Sequence, residues 1–399
     1  MIELDISKSV FRGARRESAL AKIVLQKRMV HSHSDGQQRL GRLTLLAAIL
    51  SLIETRVAAV APAPIRLWDA RDFWLAADVA GAAQPERTIA LRDGFAVDSA
   101  AVADAGSYAP VPLASTARRI DVGETLPNGT DAVLPLDAVV QRGDRLEALT
   151  AAAPGEGVLP AGGDVMGPLR RAGERIRAVD LAVMSAAGIN EVTVRAPNLH
   201  VVRGGTATSP LIEAAIAAIR RAAAEAGCVV TGQSISLEAA LGDSGADAVV
   251  ALGGTGNGTR DRAVHTLAQQ GRVEAHGIAV SPGESAAFGF VGSKPVLLIP
   301  GRLDAALAIW LMIGRHLAAS LAEGRIGDPT AMLPLKRKVT STIGLTELVP
   351  VRCVERMAEP LGSGYLSFQS LTLSDGWIAV PAESEGYQPG TVVAVGSWP

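Results

Sequence analysis

The densest chemistry in the sequence lies at Gly253-Gly254-Thr255-Gly256-Asn257-Gly258-Thr259-Arg260-Asp261. Glycines at this density let a backbone run close to a ligand and aim successive N–H groups at one point, which suits an anion such as a phosphate. The hydroxyls of Thr255 and Thr259 and the amide of Asn257 add donors, and Asp261 stands where a carboxylate helps hold a divalent cation over that phosphate. A plain strand-to-helix turn is the competing reading, in a chain with 42 glycines. The flanks predict strand, loop, helix: Ala248-Val249-Val250-Ala251-Leu252 is a short apolar run that reads as a buried strand, and Asp261 to Gln270 has helical composition.

Positioning such a loop requires an α/β frame. From 198 to 328 apolar runs (199–202, 228–230, 248–252, 278–280, 296–299) alternate with helical tracts, which predicts a mostly parallel sheet with helices on both faces. One of those helices is well signalled, with Ser209 as N-cap, Pro210 at N1, a stripe of Leu211, Ile212, Ala215, Ile216 and Ile219, and Gly227 past its end. In open sheets of this kind ligands sit beyond the carboxyl ends of the strands, and the glycine loop lies at such an end. A chain of 399 residues exceeds a single core. Residues 86–159 carry short β-prone runs and read as a β insertion. Residues 40–85 and 160–197 have helical character in Leu43 to Ile53, Ala70 to Val79 and Val179 to Ala187. Residues 329–399 are again β-rich, a small barrel or sandwich, and residues 1–39 form a basic extension.

Thirty-eight basic against forty acidic residues leave a net charge of −2, which gives no reason to expect nucleic-acid binding, so any anion site is local. Two distant cysteines, Cys228 and Cys353, support neither a disulfide framework nor a thiolate metal site, and reducing cytosol is the default compartment. The N-terminus lacks the apolar core of a secretory signal, and Leu43 to Ile53 is short of the roughly 17 residues that a membrane span needs.

Further motifs follow in a fixed order: Arg92-Asp93-Gly94-Phe95-Ala96-Val97, then Val122 to Val133 (V-G-E-T-L-P-N-G-T-D-A-V), Gly163-Asp164-Val165, the glycine loop, Ser281-Pro282-Gly283, Ile299-Pro300-Gly301 and Ser374 to Pro381 (S-D-G-W-I-A-V-P). With these the chain resembles the molybdopterin molybdenumtransferases of the MoeA and gephyrin E-domain type, as a divergent member, over about residues 40 to 397. The resemblance implies a multidomain α/β plus β fold: a central MogA-like three-layer α/β domain, a helical linking domain, a β insertion domain and a C-terminal β domain. It also implies a cytoplasmic homodimer and a reaction, insertion of molybdate into adenylated molybdopterin with release of AMP.

By that resemblance Gly253, Gly254, Thr255, Gly256, Asn257, Gly258 and Thr259 cradle the pterin phosphate, with Ser281, Pro282, Gly283, Pro300, Gly301 and Arg302 around it. Asp93, Asp164 and Asp261 are the catalytic acids, Asp261 also the Mg²⁺ ligand. Asp93 and Asp164 would act from the partner subunit, although each also suits a turn-forming acid. Two departures stand out. Where the family shows K-P-G-K-P, this chain has Ser281-Pro282-Gly283-Glu284-Ser285, so two lysines facing the oxyanion are missing, which at roughly 1.5–3 kcal/mol per charge-assisted contact removes about 10² to 10⁴ in affinity. Arg203-Gly204-Gly205-Thr206, Gln233 and Ser234 stand where the family has acids, while Arg302, Arg260 and Arg262 are candidate replacement cations. The readings are therefore a molybdenumtransferase, or a non-catalytic carrier that holds molybdopterin or finished cofactor for a molybdoenzyme or another assembly protein. A scaffold docking through residues 1–39 is a third.

Overall fold

The computed structural model describes residues 42–165, 167–206, 208–232, 235–327 and 331–399; the basic segment 1–39 and the pair Gln233 and Ser234 lie outside them. The chain divides into two units, one of Pro64–Arg71 with Ala77–Thr193, the other of the chain up to Ala63, Asp72–Ala76 and Val194–Pro399.

In the Ala77–Thr193 unit, Gly94–Val97 (β1) is the middle of a three-stranded antiparallel sheet between Arg118–Ile120 (β2) and Ala132–Pro135 (β3). Alternate side chains go to opposite faces. Val97, Ala132 and Leu134 join one apolar cluster with Val102 and Ala148, while Ala96, Ile120 and Val133 join another with Leu126 and Val158. The sheet therefore has a core on each side, which is why so short a β1 is nearly all buried.

The tract Ala70 to Val79, expected as helix, instead runs through turns and two short strands, Trp74–Leu75 and the start of Val79–Ala80. Trp74–Leu75 pairs with Val194 and Arg195, and the Trp74 indole N–H donates to Ala226 O at 2.8 Å. Val79–Ala80 pairs with Pro168–Arg170. Long-range strand partners outweigh a helical spacing over ten residues. Of the expected helices in the linking tracts, Leu46–Arg56 and Ala178–Ala186 form.

The other unit holds a six-stranded sheet. Asn198–Arg203 (β4), Val229–Thr231 (β5), Ala248–Leu252 (β6), Arg272–His276 (β7), Ala287–Val291 (β8) and Lys294–Ile299 (β9) run in the order β5-β4-β6-β9-β8-β7. The first four in that order are parallel, β8 pairs antiparallel with β9, and β7 pairs antiparallel with β8. Pro210–Glu225 (α1) and Leu303–Leu321 (α4) cover one face, packing on Leu199, Val201, Val250 and Leu297. Leu237–Gly242 (α2) and Ala263–Gln270 (α3) cover the other, packing on Val202, Val249, Ala251 and Leu298. Both faces are thus covered, and all five residues of β6 are buried. Ser209 caps α1 by accepting from Ile212 N, with Pro210 at N1; Leu211, expected in the buried stripe, is exposed. The apolar run 278–280 does not join this sheet. Val280–Ser281 pairs in parallel with Thr346 and Glu347 of the C-terminal sheet, where Thr346–Val354, Met357–Pro360 and Gly376–Val380 lie side by side.

Helix α4 is long and apolar enough for a membrane span, but most of it is buried in this core. Its centre widens to a π turn over Trp310–Gly314. The fully buried Trp310 ring lies against Gly314, where an added Cβ would overlap it. Ordinarily Gly→Ala in a helix gains roughly 1 kcal/mol. Gly314→Ala is expected to have the opposite sign, a loss of about 1–3 kcal/mol from overpacking, read as a lower urea midpoint. Two residues on, burial and the Arg315 charge push His316 down to about 4. The unfolded chain takes up this proton near 6.5 and the folded chain does not, so stability falls as pH drops through that window, by up to about 1.4 kcal/mol per unit. Urea titrations at pH 7 and pH 5 should show the loss, and His316→Gln should reduce it.

Candidate functional site

The parallel strands β4, β6 and β9 end at Arg203, Leu252 and Ile299, and glycines follow each: Gly204-Gly205, Gly253-Gly254 and, after Pro300, Gly301. Their backbones are laced together, with Gly204 N donating to Leu252 O (2.7 Å) and Gly253 N to Ile299 O (2.8 Å). A Cβ on Gly204 would overlap Gly253 O, and one on Gly301 would stand 3.3 Å from the Gly253 Cα. Gly253 and Gly254 have φ of +85° and +72°, which a side chain would strain. β5 lies on one side of β4 and β6 on the other, so the connections part here, the place beyond the strand ends where open sheets of this kind form a ligand crevice. Arg203, at the end of β4, pairs with Glu213 of α1.

The glycine loop rises from this floor. Thr255 is buried; its hydroxyl lies 3.1 Å from the Ser285 hydroxyl, and its carbonyl accepts from His276 Nε2 at 2.9 Å, so that nitrogen carries the proton. Asn257, Gly258, Thr259 and Arg260 are exposed. Asp261 folds back into the loop: Oδ2 accepts from Gly258 N at 2.8 Å, and a Cβ on Gly256 or Gly258 would stand 2.8 Å from the same oxygen. Helix α3 starts at Ala263, two residues after the expected position, because Asp261 belongs to the loop. Among the described residues no three His, Cys, Asp or Glu side chains gather as a metal site.

A second wall comes from 281–285 and from the start of α4. Ser281, Pro282 and Gly283 are buried, and a Cβ on Gly283 would meet Ile309 of α4 at 2.7 Å. The Gly283 N–H donates to Glu284 Oε2 at 3.1 Å. The Arg302 guanidinium binds both oxygens of the buried Asp304 (3.0 and 2.5 Å) and lies 5.3 Å from the Tyr365 ring centre. The Asp304 hydrogen bond, working against burial and helped by the Asp304 and Glu284 charges, pushes the Arg302 pKa up. The sequence reading named Arg302 but neither Asp304 nor Tyr365. An acid two residues past Arg302 in a first helical turn was the available signal for Asp304, whereas nothing local marks Tyr365 or His276.

Asp93 and Asp164 belong to the Ala77–Thr193 unit. Asp93 is exposed, and its Oδ1 accepts from Val122 N at 2.8 Å. Arg92 beside it donates to Val133 O and Glu156, and Gly94 is required because a Cβ would overlap Leu134 O. Asp131 grips Ser99 through both oxygens, on its N–H and its hydroxyl, at 2.7 Å each. Asp164 is exposed, on a loop held by Asp164 N to Gln84 O, and its side chain has no hydrogen-bond partner among the described residues. Asp131 is therefore a structural acid of the motif. Asp131→Ala should destabilise by about 1–3 kcal/mol, while Asp164→Ala should stay within about 0.5 kcal/mol of the parent. Chemical denaturation of the two variants side by side measures the contrast.

Comparison with known proteins agrees with this layout. The family description for the MoeA N-terminal region, domains I and II, matches residues 44–188, and that for the MoeA C-terminal region, domain IV, matches residues 332–398. A Methanocaldococcus jannaschii protein named for molybdopterin biosynthesis is 36% identical over 153 residues, 37% of this chain, and the match spans only 36% of that relative's length. Among solved structures, a molybdopterin biosynthesis MoeA protein of Pyrococcus horikoshii superposes with a TM-score of 0.62 at 25% identity, over 89% of this chain and 99% of its own. Another structure of MoeA from that organism gives 0.68 at 20% identity, over 90% and 100%. With its mixed α/β sheets and C-terminal β domain, the chain belongs to the MoeA family.

Proposed function

We propose that this chain acts in molybdenum cofactor biosynthesis as a homodimeric cytoplasmic protein that binds molybdopterin or its adenylated form and holds it for a later assembly step or a molybdoenzyme. The observation that carries this is the glycine floor at the ends of β4, β6 and β9, where Gly204, Gly254 and Gly301 leave little room for a side chain, together with the exposed Asn257, Gly258 and Thr259 above it, whose donors suit a phosphate. Mg²⁺ fits as a one-carboxylate site, with Asp261 and ligand phosphate oxygens as its partners; it would supply charge neutralisation for the phosphates. Holding rather than exchange is favoured by the acids themselves. Asp93 and Asp261 each already accept from a backbone amide, of Val122 and of Gly258, and Arg302 is engaged by Asp304.

The second reading is molybdate insertion with AMP release, the family's reaction, and the exposed, unengaged Asp164 carboxylate favours it. Calorimetric titration with molybdopterin and with adenylated molybdopterin, followed by an AMP assay with molybdate and Mg²⁺, separates the two. Binding with no AMP above the blank is the expected result; molybdate-dependent AMP supports insertion, and failure of both pterins to bind removes both readings. Sedimentation equilibrium checks the dimer.

A further inference from the structure

Three groups suited to gripping an oxyanion at the crevice already hold carboxylates of the chain itself. Gly258 N–H holds Asp261, Gly283 N–H holds Glu284, and Arg302 holds Asp304. Two of these have ordinary explanations. Asp261 shapes the glycine loop, and the buried Asp304 sits in the first turn of α4, where it also accepts from Leu366 N at 3.3 Å. Glu284 differs. It is only partly buried, it bonds to the amide of the residue before it, and its charge bears on Arg302. Its neighbour Ser285 touches Thr255 of the glycine loop, so the Glu284 segment stands at the loop's side of the crevice.

We infer that Glu284 is a built-in anion that excludes a free tetrahedral oxyanion from the Arg302 side of the crevice while leaving the glycine floor to the phosphorylated ligand. This specificity role rests on the pterin-binding reading above. A carboxylate one residue along the chain from its amide partner competes at an effective concentration on the order of millimolar or more, so an oxyanion present at micromolar levels does not displace it. Like charge adds to the exclusion, since the Arg302 cation is already balanced by Asp304 before Glu284 is counted. The site thereby separates two anions by size and attachment: a ligand anchored through a ring and a phosphate on the floor is accepted, and a small free oxyanion is not.

The test uses the full chain as wild type, Glu284→Ala and Glu284→Gln, titrated calorimetrically with sodium molybdate, with inorganic phosphate and with molybdopterin. Glutamine keeps an oxygen for Gly283 N–H and removes the charge; alanine removes both. Wild type is expected to take up neither free oxyanion at micromolar concentration. Glu284→Ala should gain at least about tenfold in affinity for both, with Glu284→Gln between the two. Molybdopterin affinity should change by a smaller factor than the oxyanion affinities do, since its floor contacts remain in every variant. Equal oxyanion affinity in all three proteins overturns the inference. So does the absence of any oxyanion binding in both variants when circular dichroism shows them folded. Loss of molybdopterin binding by the wild type would instead strike the proposed function, and the oxyanion comparison would still be readable.

Discussion

The carboxyl ends of β4, β6 and β9 stand so close together that the chain turning away from them has room for hydrogen and not for carbon. Backbone amides of one turn donate to the last carbonyl of the next strand, and the Cα of Gly301 faces that of Gly253 across an ordinary van der Waals gap. This crowding follows from a parallel sheet buried on both faces, because helices α1 and α4 on one side and α2 and α3 on the other hold the strands to a single spacing. What the crowding produces is a floor of closely packed backbone, with Gly204 and Gly253 themselves buried, fixed in place by a core of fully buried aliphatic side chains; the loop above it becomes exposed from Asn257 onward. The walls are hung from it: Thr255 by Ser285 and His276, and Arg302 by Asp304.

Charge is handled locally rather than by a general field. A net charge of −2 over 399 residues gives no long-range attraction for anions, and two of the described cations near the crevice are paired with carboxylates, while the exposed Arg260 and Arg262 have no such partner among the described residues. Arg302 is joined to Asp304, and Arg203 to Glu213.

Conserved-looking acids turn out to have different physical roles in the fold. Asp131 holds a neighbouring turn through both oxygens, Asp93 caps the Val122 loop, and Asp261 closes the glycine loop on itself. Asp164 alone of the acids named from the sequence has no internal hydrogen bond among the described residues. A carboxylate beside a glycine first serves the backbone, since an amide left without an acceptor is costly, and only a carboxylate left over is available for chemistry.

Much of the frame was legible from local pattern. An apolar run of five residues followed by glycines announces a buried strand and a tight turn, because nothing else satisfies both burial and φ > 0, and Ser209-Pro210 announces a helix start for similar reasons. The glycine loop, Arg302 and the C-terminal β block were visible in this way. The Trp74 tract was not, since its strand partners at Val194 and Arg195 lie more than a hundred residues away. Nor was the fate of 280–281, which leaves one sheet for another. The residue types at the crevice, and the carboxylate contacts within a few residues such as Asp261 with Gly258 and Arg302 with Asp304, were set by the sequence, but which distant groups meet was decided only by the tertiary structure. Hydrogen bonds reach about 3 Å, and only folding brings Thr255 to Ser285 and to His276 within that range.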